Sequence, residues 1–248
     1  MLQGLLDSGF PPERVTVLDP HPSDWHTGLG IRRTAELPAD KAIVLVAVKP
    51  QMMTEALPRL APLGNGGTLF LTVAAGTALS FYEWTLGAQT PVIRAMPNTP
   101  AAVGRGITAI VGNATASAAD MDLAEHFLSA VGQVVRLDSE EQMDAVTALS
   151  GSGPAYVFHL VEAMAQAGIA QGLPEDLAMD LARATVAGAG ELLHRSEESA
   201  AQLRINVTSP KGTTEAALNQ LMRAEDGLPA VMKRAVAAAT ERSRELGK

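Results

Sequence analysis

Two short stretches near the C-terminus combine glycine, proline and hydroxyl residues at a density that predicts a binding site for a small molecule. They are LSGSGPAY, residues 149–156, and VTSPKGTTEAAL, residues 207–218. Glycine and proline at such density destabilise regular structure and instead bring backbone N–H groups close to a ligand. Each stretch runs into a segment of helical composition, whose N-terminus favours an anion such as a carboxylate. Either stretch alone is equally well explained as a capped helix start, but the two together predict a site.

The elements that would position such a site alternate between strand and helix in the first half of the chain. Residues 1–9 are typical of the end of a helix. Apolar runs predict strands over residues 15–18, 42–48, 69–73 and 92–96, with helices over 51–60 and 79–86 between them. This order favours βαβ units and a parallel sheet. Two further strands, over 107–111 and 133–137, are expected at the edge of the sheet around a helix over 117–131.

Ligands of such sheets bind at the carboxyl ends of the strands. The segments expected there are LDP, AVKPQ, VAAG and MPNTP, which begin at residues 18, 47, 73 and 96. Asp19 stands where an acidic residue would hold the ribose of a dinucleotide, although a simple turn cap explains it equally well. Lys49 suits a phosphate or ribose, or is merely an exposed lysine. Asn98, between two prolines, is the stronger candidate for holding a polar group.

The second half of the chain carries helical signals only. Helices are predicted to open at Pro154 and Pro174, after Thr214, and after Pro229. We therefore expect two domains, a dinucleotide-binding domain over residues 1–138 and a helical domain over 139–248. The helix after Pro174 is rich in alanine and glycine, which allows another helix to approach closely. A homodimer or larger homo-oligomer is expected.

Composition and missing motifs exclude several classes of function. The net charge of −8, without a Lys/Arg cluster, argues against nucleic acid as a partner. The chain has no cysteine, its five histidines lack ligand spacing, and it has neither HExxH nor GxSxG, so no metal site and no serine hydrolase is predicted. No apolar run is long enough to span a membrane, and a soluble cytoplasmic protein is expected. No general acid–base pair is visible, which suits hydride transfer, where the cofactor carries the chemistry.

Four of these motifs, in this order, resemble the pyrroline-5-carboxylate reductase family. They are AVKPQ, MPNTP, LSGSGPAY and SPKGTTEAAL, and the resemblance covers nearly the whole chain. It implies a Rossmann-like, mostly parallel sheet followed by an all-helical dimerisation domain. It also implies that L-1-pyrroline-5-carboxylate is reduced to L-proline with NADPH or NADH, the last step of proline biosynthesis.

The resemblance also implies roles for individual residues. Those that border the nicotinamide dinucleotide are Ala47, Val48, Lys49, Pro50, Val73, Ala74 and Ala75, with Asn98 near the nicotinamide end. Those that hold the substrate carboxylate through N–H groups and hydroxyls are Ser209, Gly212, Thr213 and Thr214. Thr214 is also expected to reach the ring nitrogen, and Ser152 to shape the pocket where hydride moves. These last two are the residues to which the resemblance assigns catalysis.

Two departures from the family pattern bear on these expectations. Lys211 replaces a glycine, which is tolerable if its backbone keeps a negative φ, and its charge would favour a carboxylate. The family also begins with a strand and a glycine-rich turn that carries the pyrophosphate, whereas this sequence starts within the helix that follows that turn. A gap between the neighbouring strands is expected. Either Met1 is an internal methionine of a longer reductase, which we favour, or the shortened chain is natural; in both cases impaired activity of the 248-residue chain is expected.

Cofactor preference and two alternative functions stay open at this point. Asp19 would repel the 2′-phosphate of NADP and favour NAD, while His21 or Arg32 would offset that repulsion. One alternative is another imine- or keto-acid dehydrogenase of similar fold, such as a β-hydroxyacid dehydrogenase. It would be expected to carry a catalytic lysine between Pro154 and His194, where none occurs. The other is a catalytically impaired oligomeric protein derived from the reductase.

Overall fold

The chain folds into two compact units in the computed structural model, which describes residues 1–19, 28–29, 31–34 and 42–247. The first unit comprises the described residues from Met1 to Gly151 together with the end of the last helix, from Thr240 onward. The second unit comprises Ser152–Ala239. The domain boundary expected between residues 138 and 139 stays a prediction.

The first unit contains a five-stranded sheet and a separate pair of short strands. The pair, β1 and β2, is parallel, and in the large sheet β3 to β7 follow one another in chain order. All neighbours in the large sheet are parallel except β5 and β6, so the predicted mostly parallel sheet is confirmed. The bounds are β1 Thr16–Val17, β2 Arg32–Arg33, β3 Ile43–Val46, β4 Leu69–Thr72, β5 Val92–Met96, β6 Gly106–Gly112 and β7 Gly132–Arg136.

Two details of the sheet bear on the expectations from sequence. The expectation that the strand over 107–111 lies at an edge is wrong, because β6 pairs with both β5 and β7. Among the described residues, no strand pairs with the outer side of β3, and the two sheets are not hydrogen-bonded to each other.

The helices of the first unit are short, and one of them differs from the prediction. The predicted helix over 51–60 is instead one α-helical turn between two 3-10 segments, Pro50–Met52 and Leu57–Leu63. Pro58 and Pro62 cause the difference, because neither has an N–H group to donate within an α-helix. The α-helices are α1 Leu2–Asp7, α2 Met53–Ala56, α3 Leu79–Leu86, α4 Ala118–Leu128 and α5 Met143–Val146.

The core of the first unit lies on both faces of the large sheet. Along β5, Val92 and Met96 pack into one cluster and Ile93 and Ala95 into the other. Every residue of β4 and β5 is buried. Burial on both faces explains why these strands read as continuous apolar runs rather than alternating patterns.

The second unit is helical and has almost no core of its own. Its buried apolar residues are three alanines, Ala165, Ala178 and Ala182, where two long helices meet. The helices are α6 Gly153–Ala170, α7 Glu175–Arg195, α8 Ala200–Asn206, α9 Thr213–Leu221 and α10 Leu228–Leu246, which continues into the first unit. Pro174 is the N-cap of α7 rather than part of its first turn, and α8 was not predicted. None of the described helices combines the length and apolarity needed to cross a membrane.

A buried phenol joins α3 to the end of β4. Tyr82 is fully buried, and its hydroxyl shares a 2.6 Å hydrogen bond with the Thr72 Oγ1 atom. Burial raises the pKa of Tyr82 above its ordinary value of 10.0, because the phenolate would lose its hydration. The hydrogen bonds to Thr72 and Thr77 and the positive charge of Arg94 offset this only in part.

The raised pKa of Tyr82 predicts a specific loss of stability in alkali. Above about pH 10 the phenol ionises in the unfolded chain but stays neutral in the folded one, so the free energy of unfolding falls as pH rises. Thermal unfolding between about pH 8 and 11 should show a steeper alkaline fall in Tm for the wild type than for Tyr82→Phe, which has no phenol to ionise. Parallel curves for the two proteins would contradict this linkage.

Candidate functional site

Three loops of the first unit leave the same edge of the sheet. Val46 and Thr72, the last residues of β3 and β4, are register partners, and Thr72 is in turn paired with Arg94 of β5. Because these strands are parallel, their carboxyl ends meet at one edge. The structure therefore brings together Ala47–Pro50, Val73–Ala75 and Asn98, as the sequence predicted for a ligand-binding edge.

The loop after β3 presents backbone and small or flexible side chains to solvent. Ala47, Lys49 and Pro50 are exposed, and Val48 is half-buried. Lys49 has an extended backbone, as expected before a proline, and its carbonyl accepts a 2.9 Å hydrogen bond from the Met52 N–H group. A flat ligand can approach this loop without meeting a bulky side chain.

The loop between β4 and α3 is held by close backbone contacts. The Ala74 N–H group donates to Thr72 Oγ1 over 3.3 Å, and Ala75 is exposed. Gly76 has a φ of +75°, and a Cβ atom there would lie 3.2 Å from the carbonyl oxygen of Leu246, at the end of α10. The positive φ favours glycine, and the short distance to Leu246 leaves little room for a side chain. The end of α10 therefore packs directly on a loop that borders the candidate site.

Asn98 is partly a structural residue. Its Oδ1 atom accepts a 3.0 Å hydrogen bond from the Ile107 N–H group, which ties the loop after β5 to the start of β6. Its Nδ2 group makes no hydrogen bond to the described part of the chain, so this donor is available to a ligand.

Asp19 follows β1, which belongs to the two-stranded sheet and not to the large one. It lies two residues beyond the end of β1 and is exposed. His21 lies outside the described residues, and Arg32 is described by its backbone in β2. The structure thus leaves the roles of these residues in cofactor preference as predictions.

The LSGSGPAY stretch begins within a π-helical turn, Thr147–Gly151, that leads into α6. Such turns are frequent at functional sites. Ser152 has helical backbone angles, and among the described residues its side chain makes no capping hydrogen bond, so a plain serine cap does not explain it. A Cβ atom on Gly151 would lie 3.6 Å from the Met96 Sδ atom, which places this turn beside the end of β5.

In the second unit, residues Ser209 to Gly212 form a tight β-turn. The Gly212 N–H group donates to the Ser209 carbonyl over 3.0 Å, and Lys211 has a φ of 59°. Proline at the second position and a left-handed third residue are typical of a type II turn. The negative φ on which the tolerance of Lys211 was made conditional is therefore not observed, because this position of the turn requires a left-handed backbone.

The turn leads directly into the N-terminus of α9. Gly212 is the N-cap and, like every glycine, offers no side chain to the first N–H groups of the helix. A Cβ atom on Gly212 would lie 2.6 Å from Ser209 Oγ and 3.0 Å from the Ser209 carbonyl oxygen, so a side chain there would crowd the turn. Glu215 accepts a 2.8 Å hydrogen bond from the Lys211 N–H group, which fixes the turn against the helix. The N–H groups and hydroxyls of Thr213 and Thr214 thus form an arrangement that favours a carboxylate.

The sequence reading missed an ion pair between Arg94 and Glu140 next to the strand-end loops. A signal for it exists, because Arg94 is the one charged residue in the apolar run VIRAM. Within the described residues, no cluster of three or more His, Asp or Glu side chains is placed to hold a metal ion.

The chain is similar along nearly its whole length to pyrroline-5-carboxylate reductases. Residues 140–246 match the family model described as pyrroline-5-carboxylate reductase dimerisation. The pyrroline-5-carboxylate reductase of Pseudomonas aeruginosa is 40% identical over 252 residues, which cover 99% of this chain and 92% of that protein. The corresponding protein of Synechocystis sp. is 38% identical over 258 residues, covering 98% and 92%.

Solved structures agree with the sequence comparison. A pyrroline-5-carboxylate reductase from Coxiella burnetii matches with a TM-score of 0.94 and 35% identity, covering 100% of this chain and 93% of that one. A pyrroline carboxylate reductase from Plasmodium falciparum, solved with NADP bound, matches with a TM-score of 0.83 and 26% identity, covering 99% and 92%.

The left-handed backbone of Lys211 predicts that glycine stabilises this turn. Lys211→Gly should raise the free energy of unfolding by about 0.5–1 kcal/mol, the relief of strain less the larger entropy of glycine in the unfolded chain. Lys211→Ala is the matched control, since it removes the same charge but keeps a Cβ atom in the left-handed region. Denaturant unfolding of the three proteins checks this, and equal stability of the two variants would contradict it.

Proposed function

The chain belongs to the pyrroline-5-carboxylate reductase family, and we propose that two groups of its residues bind the two reactants of that enzyme. The reaction is the NAD(P)H-dependent reduction of L-1-pyrroline-5-carboxylate to L-proline, in proline biosynthesis. The observation that carries this function is the identity of 33–40% to reductases of this name over 82–100% of the chain. The residue assignments below are our proposal.

We assign the dinucleotide to the strand-end loops of the first unit. The exposed Ala47 and Ala75 leave room for a flat ring, and the free Nδ2 group of Asn98 can donate to a carboxamide or ribose oxygen. These features fit a nicotinamide dinucleotide, with Val48, Lys49 and Pro50, and Val73 and Ala74, bordering it. When bound, the dinucleotide supplies the hydride that reduces the imine carbon.

We assign the substrate carboxylate to the turn before α9. The N–H groups of Thr213 and Thr214 face a negative charge favourably at the helix N-terminus, and the hydroxyls of Ser209 and Thr213 add donors. A carboxylate in such a position gains about 0.3–1 kcal/mol from the helix dipole alone. Gly212 allows the close approach that this geometry needs.

Thr214 and Ser152 complete the assignment at the reacting end of the substrate. The ring nitrogen of the protonated imine carries an N–H group, which can donate to the Thr214 hydroxyl oxygen. A protonated imine is already electrophilic, so the residues that hold it contribute mainly by orientation. We assign to Ser152, whose hydroxyl does not cap α6, a role in shaping the pocket. This explains a site without a general acid–base pair.

Cofactor choice and cell compartment are the finer parts of the proposal. The exposed Asp19 at the end of β1 favours NADH, since its carboxylate repels a 2′-phosphate. Because NAD(P)H is regenerated inside the cell, we propose a cytoplasmic location.

A steady-state assay tests the assigned function and the role of Thr214 together. Oxidation of NADH or NADPH by the purified chain should require pyrroline-5-carboxylate, even at the low rate expected from the sequence, and the faster nucleotide reports the cofactor preference. Thr214→Val removes the hydroxyl at nearly constant volume and should lower kcat/KM by about ten- to a hundredfold, the loss of a hydrogen bond to a charged group. Thr85→Val is the matched control, because Thr85 is also a half-buried helical threonine but donates to the Phe81 carbonyl. Folded protein without substrate-dependent oxidation, or equal kcat/KM for both variants, would contradict the assignment.

The second unit is a dimerisation domain, as its family match indicates, and we propose that its exposed apolar side chains form the contact between copies. Phe158 is 63% exposed and Leu192 is 55% exposed, while the apolar core of this unit consists of three alanines. Long helices that bury so little of their own apolar surface need a second partner. A second copy of this unit provides an equally apolar partner surface.

Charge placed on this surface should separate the copies. Phe158→Asp and Leu192→Asp should each weaken self-association by at least about a hundredfold, because an unpaired carboxylate would be buried. Trp84→Asp is the control, since Trp84 is 83% exposed but lies on α3 of the first unit. Sedimentation equilibrium gives the dissociation constants, and dissociation by Trp84→Asp alone would show that the contact lies elsewhere.

A further inference from the structure

An ion pair joins Arg94 to Glu140 beside the mainly apolar layer on one face of the large sheet. The side chain of Arg94, in the middle of β5, is 9% exposed and its guanidinium is paired with the Glu140 carboxylate. Its neighbours along the strand, Val92 and Met96, belong to the apolar cluster on the same face. A buried cation is unfavourable unless it is paired, and an apolar pair of similar size is often as stable. The pair therefore suggests a role besides stability.

Glu140 makes a second bond that points to this role. Its Oε1 atom accepts a 2.8 Å hydrogen bond from the Leu79 N–H group, across 61 residues of sequence. Leu79 is the first residue of α3, and the preceding N-cap, Ala78, has no side chain that can accept this bond. Glu140 thus satisfies the first of the N–H groups of α3 that have no partner within the helix, at an end where a negative charge is also favoured by the helix dipole.

The helix start that Glu140 holds is the end of the loop that begins at Val73. The other end of this loop is held by Thr72, which accepts from the Ala74 N–H group and shares a hydrogen bond with Tyr82. Thr72 and Arg94 are register partners on β4 and β5, so both anchors of the loop rest on adjacent residues of the sheet. In between, Gly76 packs against the end of α10.

Glu140 also lies on the chain segment that leads to the π-helical turn. It begins the 3-10 segment Glu140–Gln142, which continues into α5 and then into Thr147–Gly151. One carboxylate therefore connects three parts of the first unit: the sheet through Arg94, the loop after β4 through Leu79, and the segment that ends beside Met96.

We propose that Glu140 is a positioning residue for the loop Val73–Ala78, and that its bond to Leu79 sets the affinity for the nicotinamide dinucleotide. This inference rests on the proposed function, in which Val73, Ala74 and Ala75 border that cofactor. Arg94 holds the Glu140 carboxylate in place, and Glu140 in turn holds the loop. Neither residue is required to touch the reacting atoms.

Two substitutions at Glu140 separate positioning from stability. Glu140→Gln and Glu140→Ala both leave Arg94 without its anionic partner, but only glutamine keeps an oxygen that can accept from Leu79. Amide hydrogen exchange in the protein without nucleotide should be faster at Leu79 and its loop in Glu140→Ala than in Glu140→Gln. The dissociation constant for NADPH or NADH, from direct titration, should be at least about tenfold higher in Glu140→Ala than in Glu140→Gln. The KM for pyrroline-5-carboxylate should differ less than about twofold, because the substrate is assigned to other residues.

Controls keep the test decisive if the unpaired Arg94 prevents folding. The same comparison can be made between Arg94→Met/Glu140→Gln and Arg94→Met/Glu140→Ala, in which no cation is left buried. Glu125→Gln removes an exposed partner of Arg136, 2.6 Å away, and should change neither loop exchange nor nucleotide affinity. Equal exchange and equal affinity in the alanine and glutamine variants would overturn the role of Glu140. A wild type that binds neither nucleotide would instead overturn the proposed function.

Discussion

A positive charge that is buried in a strand needs an anionic partner, and for Arg94 that partner is Glu140. The loops around the candidate dinucleotide site depend on this ion pair. Glu140 comes from the segment after β7, 46 residues along the chain. The same carboxylate holds the first N–H group of α3, and the hydroxyl of Thr72 beside Arg94 holds the other end of the intervening loop. The carboxylate that neutralises Arg94 therefore also helps to fix the backbone of the loop to which the dinucleotide is assigned.

The two units use apolar residues in opposite ways. In the first, β4 and β5 are covered on both faces, and large side chains such as Phe70 and Tyr82 are fully buried. In the second, small residues allow two helices to approach: a Cβ atom on Gly168 would lie 3.3 Å from the Cβ atom of Ala178. The large apolar side chains of these helices, Phe158 among them, are left for other contacts. This exposed apolar surface agrees with the match of residues 140–246 to a dimerisation family.

Properties that depend on short stretches of sequence could be predicted, and those that depend on distant partners could not. The strands β4 and β5 were recognisable because burial on both faces leaves a continuous apolar run. The prediction of a helix over 51–60 is wrong because Pro58 has no N–H group to donate, and the α-helix is limited to one turn. The bond between Glu140 and Leu79 joins segments 61 residues apart, so no local pattern contains it.

The backbone of Lys211 could be predicted only in part: the sequence indicated the turn but not the left-handed conformation of the lysine. The motif SPKGTT identified a turn, and proline followed by a left-handed residue is what a type II turn needs, yet the lysine itself suggested a negative φ. The turn geometry prevailed because Gly212 donates to Ser209 and Glu215 accepts from Lys211. Here the structural requirement of the position overrides the preference of the residue that occupies it.

A reduction whose substrate is already electrophilic makes geometry the main demand on the protein. A misplacement of about 1 Å can lower such a rate about a hundredfold, so the site is expected to show strong backbone restraint rather than titrating groups. Such restraints are present at three of the candidate segments, where the side chains of Thr72, Asn98 and Glu215 accept from the N–H groups of Ala74, Ile107 and Lys211, respectively. In each case the bond involves a residue of a segment that is assigned to a reactant. The reduction can therefore proceed without a general acid–base pair, because the main contribution of the chain is to fix the loops that orient the two reactants.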